Sequence, residues 1–97
     1  MPMTRTAVLL LGLLAAAVVA AAPAHAPWPG GIAVIDVGPA EAPRPIVEFD
    51  ERRVLVARSG DRWLAAIGIP LDALTGEMAI RVNTARDITF DVREHAY

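Results

Sequence analysis

The stretch Arg53 to Glu77, RVLVARSGDRWLAAIGIPLDALTGE, leaves little choice of local structure. Val54–Ala57 and Trp63–Ile69 are apolar runs on either side of Ser59-Gly60-Asp61. Two such runs joined by a short Gly-containing turn spell a β-hairpin. Pro70 ends the second run, because it has no N–H to give to a ladder. With Pro70 inside it, Ile69–Leu74 is excluded from a long helix and reads as a turn with one helical loop at most. Whatever this chain folds into is built by adding strands to that hairpin.

The flanking segments supply those strands. Ile32–Val37 (IAVIDV) is nearly all apolar, the pattern of a strand covered on both faces. Gly38–Pro45 holds three prolines and reads as an extended crossover between sheets. Ile46–Phe49 is a short strand, and Asp50-Glu51-Arg52 a polar turn. Met78–Asn83 places Met78, Ile80 and Val82 on one face. Asp87–Arg93 has the clearest period of two, with Ile88, Phe90 and Val92 facing in. About six short strands with frequent turns point to an all-β antiparallel sandwich or small barrel.

The first quarter of the chain reads differently. Arg5 is followed by Ala7–Ala22, 16 residues without a charge, and then by Ala22-Pro23-Ala24-His25-Ala26. A positive start, an apolar run and an Ala-x-Ala exit are the layout of a secretory signal peptide. Cleavage fits after Ala24 or after Ala26. The first is preferred, because the second leaves Pro27 at the new terminus. Residues 1–24 are then a signal helix, 25–31 a Pro/Gly-rich lead, and 32–97 the β-domain. The product belongs in the periplasm or outside the cell, and it meets a membrane only through an uncleaved signal segment. With no cysteine in the chain, no disulfide staples the domain and no lipid attaches at the cleavage region.

Few residues suggest chemistry. The two histidines, His25 and His95, are 70 positions apart and form no paired-ligand motif. A processed His25 terminus offers an amine and a ring to copper but needs a further ligand. His95 lies in the polar tail Arg93–Tyr97 and reads as a solvated side chain. The carboxylates fall in turns or on outward strand positions, except Asp36, which calls for a sheet end or an arginine partner. Ser59 belongs to a turn, not to a nucleophile elbow. No catalytic, cofactor-binding or metal-ligating residue is assigned, and no cofactor is expected. Nine arginines against eleven acids give a net charge of −2 and no basic patch, which argues against a nucleic-acid partner. Trp63 reads as core. Trp28, flanked by prolines, either caps the sandwich or sits at a contact surface.

Several segments resemble one known domain. Pro29-Gly30-Gly31-Ile32-Ala33-Val34, Arg53-Val54-Leu55-Val56, the run Arg62–Leu71 and Gly76-Glu77 are similar to the N-terminal domain of exported bacterial metallopeptidases. These are the lysostaphin- or LytM-type zinc endopeptidases of metallopeptidase family 23, which cut peptidoglycan cross-bridges. The likeness runs from Pro27 to Tyr97. In that family the zinc ligands lie downstream, in His-x3-Asp and His-x-His motifs. This sequence has neither, so no catalytic residue carries over. The resemblance implies an accessory, Ig-like β-sandwich that positions or covers the groove of a peptidase domain, here a fragment or a free-standing remnant. The expected partner is therefore a peptidase catalytic domain, in cis or in trans, with peptidoglycan as a second candidate. The expected contact residues are Trp28, Ile69, Pro70 and Leu71. The alternative is an independent module that binds cell wall or protein.

Overall fold

A computed structural model describes residues 23–97. The signal segment expected at 1–24 lies almost wholly outside the described residues. Among these the fold is all-β, in two antiparallel sheets. The first sheet holds β1 (Ile32–Pro39), β5 (Arg62–Gly68) and β4 (Leu55–Ser59), in the order β1-β5-β4. The second holds β3 (Arg52–Arg53), β2 (Val47–Phe49), β6 (Gly76–Val82) and β7 (Arg86–Val92), in the order β3-β2-β6-β7.

The central hairpin forms as the sequence implies. β4 and β5 pair from Leu55↔Ala66 to Ser59↔Arg62, leaving Gly60-Asp61 as a two-residue turn. β1 joins the far side of β5, so the longest apolar run of the hairpin becomes the middle strand. Three connections carry the chain from one sheet to the other, and each has a visible cause. The proline-rich segment after β1 crosses over and is fixed at its end by Asn83, whose side-chain oxygen accepts from the Ile46 N–H at 2.9 Å and whose own N–H donates to the Ile46 carbonyl at 2.7 Å. Val54 bridges β3 to β4 and donates to the Val47 carbonyl at 3.0 Å. Pro70 stops β5, and a turn closed by the Ala73 N–H on the Pro70 carbonyl leads to β6.

Among the described residues there are seven strands where the sequence pattern suggests about six. The extra one is β3, inside the expected Asp50-Glu51-Arg52 turn. Phe49 pairs with Arg52 and Glu48 with Arg53, so the turn shrinks to Asp50-Glu51, with both residues left-handed at φ 52° and 64°. That is the primed two-residue hairpin, whose preferred sequence is Asp-Gly. Glu51→Gly should therefore stabilise the domain by about 0.5–1 kcal/mol, because it removes a side chain from a strained backbone region. A higher urea midpoint at unchanged slope would register the gain.

The core lies between the sheets. Ala33, Val37, Val56, Ala65 and Ile67 come from the first, and Val47, Ile80, Val82, Phe90 and Val92 from the second, all buried. Phe49 packs against Phe90 with ring centroids 6.0 Å apart. The inward set of β7 is as its period of two indicates, with Ile88 half-buried beside Phe90 and Val92. Trp63 is only half-buried: it packs on the core, donates its indole N–H to the Ala42 carbonyl at 2.9 Å, and carries the Arg44 guanidinium 5.4 Å above its ring.

Candidate contact surfaces

The expected contact residues gather at one end of the sandwich, where the lead, the turn after β5 and the tail meet. The lead is hydrogen-bonded to both sheets. The Gly30 N–H donates to the Ile69 carbonyl and the Ile69 N–H to the Gly31 carbonyl, both at 2.9 Å. On the other side, the Arg93 N–H donates to the Pro27 carbonyl at 2.8 Å. Pro27 is buried in consequence. A lead rich in proline suits this role, since few of its own N–H groups need partners while its carbonyls accept.

This geometry separates the four residues expected to touch a partner. Ile69 is 3% exposed and closes the core, so its side chain is not available to a partner. A buried Ile after the last paired residue of β5 acts instead as an anchor for the lead. Trp28 is half-buried, and His95 stacks on it at 4.3 Å between centroids with ring planes 10° apart. Tyr97 meets His95 edge-on at 4.7 Å and donates its hydroxyl to the Pro29 carbonyl at 2.6 Å. The tail is thus a strap over the lead; His95 is exposed, as expected, and also stacks on Trp28. A Cβ on Gly30 would meet the Tyr97 hydroxyl at 2.9 Å, so glycine is what lets the tail lie this close. Pro70 is exposed, and Leu71 and Leu74 are 73% and 81% exposed. Beside them a shallow groove of about 450 Å³ has Phe49 and Met78 among its apolar lining and Asp50 and Asp72 as its acids.

His25 is exposed, with one ring nitrogen engaged. Its Nδ1 accepts the Val34 N–H at 2.9 Å. Among the described residues, no three His, Cys, Asp or Glu side chains come together in an arrangement that could hold a metal ion.

A second surface escapes the reading of the sequence. The outward faces of the two sheets differ in chemistry. On the second sheet Arg53, Glu48, Arg81 and Asp87 are cross-strand neighbours in one row of alternating charge, with Arg81 and Asp87 3.1 Å apart. On the first sheet the outward residues are Ile32 and Val34 of β1, Leu64 and Ala66 of β5, and Leu55 and Ala57 of β4, with Asp36, Arg62 and Ser59 at the hairpin end; Val34, Leu64 and Ala66 are half-buried. Leu55 is 68% exposed. The available signal was the lack of alternation in IAVIDV and RWLAAIG, which marks strands that are apolar on both faces.

The same face carries Asp36, which finds the arginine partner its position calls for. Arg62 Nε and Nη2 donate to its two carboxylate oxygens, each at 2.8 Å, and the Gly38 N–H adds a third bond at the bulge in β1. The Arg62 hydrogen bonds hold the Asp36 carboxyl below its ordinary range, against a smaller opposing effect of desolvation. A lowered carboxyl pKa contributes stability that is present above the unfolded value and is lost as pH falls through the folded one. Wild type should lose more stability than Asp36→Asn below about pH 4, by a small margin, since the pair is half-exposed. Urea midpoints of both proteins across that range measure the difference.

Residues 25–95 match the model of the peptidase family M23 N-terminal domain. Among solved structures, the chain is similar to the crystal structure of a Pseudomonas aeruginosa protein assigned as a peptidase M23, with 35% identity and a TM-score of 0.66. That match covers 71% of this chain and 32% of the other, so the chain spans about a third of that relative's length. No curated protein matches the chain. An all-β sandwich, a family match over most of its length and a solved relative of the same assignment agree: this chain belongs to the peptidase family M23 N-terminal domain family.

Proposed function

We propose that this chain is an exported, non-catalytic accessory domain that works by contact with an M23 peptidase domain and thereby positions or covers its substrate groove. The observation that carries this reading is the match of residues 25–95 to the N-terminal, not the catalytic, domain of peptidase family M23. A domain of that family without ligands of its own contributes surface rather than chemistry. Contact is in cis where a polypeptide continues into a peptidase and in trans where it does not. Residues 1–24 serve as a signal peptide, 25–31 as the lead and 32–97 as the β-domain, and the destination is the periplasm or the medium.

Two experiments test this reading. Mass spectrometry of the chain recovered from the periplasmic fraction should give a terminus at His25. An unprocessed chain retained in the cytoplasm contradicts export. In parallel, the chain is offered to the peptidase region of the Pseudomonas aeruginosa relative and to purified sacculi. Capture by the peptidase region, without sedimentation on sacculi, is the expected result. Sedimentation on sacculi that Trp28→Ala abolishes, with no capture by the peptidase region, would make the chain a free-standing cell-wall module instead.

A further inference from the structure

The lead and tail at the end of the sandwich are bonded and stacked on each other. His95 covers Trp28, Ile69 is buried, and the Tyr97 hydroxyl is bonded within the chain. What remains open there is a shallow groove, two exposed leucines on one short turn and the outer sides of His95 and Tyr97, whose rings are already engaged within the chain. The apolar face of the first sheet is different in kind. It spans three hydrogen-bonded strands, with Ile32 and Leu55 exposed and Val34, Leu64 and Ala66 half-buried between them.

We infer that this outward face of β1-β5-β4, made by Ile32, Val34, Leu55, Ala57, Leu64 and Ala66, is the surface on which the peptidase domain sits. The inference rests on the accessory-domain reading above and gives it a location.

Three observations lead to it. The register sets Val34, Ala66 and Leu55 side by side in one row, and Leu64 beside Ala57 in the next. Apolar side chains in adjacent rows make one patch rather than scattered residues, and such patches mark contact sites. The opposite face of the same molecule shows what a solvated sheet surface looks like here: a row of Arg53, Glu48, Arg81 and Asp87. An antiparallel sheet that meets water normally alternates apolar and polar residues; the second sheet does so, and the first does so only at its Asp36–Arg62 end.

The identity of the occupant follows from the relative. This chain spans 32% of that chain, so about two thirds of the related polypeptide is available to cover the face. The lead also blocks one rival arrangement. Strand addition at the outer edge of β1 is obstructed because Ala26 donates to the Ile32 carbonyl at 2.8 Å and His25 accepts from Val34. The face itself is framed at one end by the Asp36–Arg62 pair. Inter-domain contacts of this kind are typically more polar than a core and include charges at the rim.

The test uses two single substitutions on β4, Leu55→Glu and Ala57→Glu. Both sites are exposed, so the fold should persist, and unchanged urea midpoints confirm it. Each should weaken binding to the peptidase region of the Pseudomonas aeruginosa relative about tenfold or more, since a carboxylate would be desolvated in an apolar contact. Ala79→Glu, on the opposite sheet, should change it less than about twofold. If Leu71→Glu weakens binding and the β4 substitutions do not, the contact lies at the turn after β5; this inference fails while the accessory-domain reading stands. A wild-type chain that sediments as a dimer, made monomeric by Leu55→Glu with peptidase binding intact, assigns the face to a second copy and also overturns it. Absence of binding by the wild-type chain removes both.

Discussion

Ile67→Ala should cost about 3–4 kcal/mol and leave much of the domain unfolded without denaturant. Ile67 is completely buried in the middle strand of the first sheet, paired with Ala33, and its side chain points at the second sheet. Cutting it to alanine removes buried methyl and methylene groups and leaves a cavity between two sheets that are each fixed by their ladders. Collapse around the gap is therefore limited. A domain of about 73 residues without a disulfide has roughly 3–5 kcal/mol of stability to lose. The loss and the reserve are of the same size, and that makes the effect large in practice. Urea titration followed by far-ultraviolet circular dichroism measures it. Leu55→Ala, at a site 68% exposed, is the control and should stay within about 0.5 kcal/mol of wild type.

Gly31→Ala should cost about 2–3 kcal/mol by a different route. A Cβ at this position would sit 2.2 Å from the Ala26 carbonyl oxygen and 3.0 Å from that of Trp28. Both are backbone atoms of the tight lead, closed by the Trp28 N–H on Ala26 and the Gly31 N–H on Trp28. No side chain can swing aside to relieve the clash, so the turn must open. Opening it also strains the bonds by which the lead holds Ile69 and, through Pro27, Arg93. The substitution should thus move Trp28 into water, seen as a red-shifted emission, as well as lower the urea midpoint. Gly68→Ala is the matched control. Nothing lies within 4 Å of its added Cβ, and its stability should be close to that of wild type. Equal effects at the two glycines would mean that the lead is not packed as described.

Local chemistry carried much of the fold into the sequence. Pro70, the Gly60-Asp61 turn and the alternation of β7 were each sufficient on their own, because they depend on neighbours in the chain. β3 was hidden because Asp50-Glu51 lacks the glycine that usually marks a primed hairpin turn; the pairing of Phe49 with Arg52 imposes the left-handed backbone there. Ile69 read as a contact residue because it stands beside Pro70 in a turn. Its burial depends on a lead nearly forty residues away, and local pattern does not report that. His95 is exposed, as its polar tail implies, but its stacking on Trp28 went unread for the same reason: Trp28 lies at the other end of the domain. The apolar face was half visible. Runs such as IAVIDV announce burial on both sides, but which strands would stand side by side, and so form one patch, depends on the order β1-β5-β4.

Isothermal titration of this chain into the peptidase region of the Pseudomonas aeruginosa relative tests the accessory role most directly. Saturable one-to-one binding in the micromolar range or tighter is the expected result, with a negative heat-capacity change from buried apolar surface. No detectable binding well above micromolar concentration would contradict it.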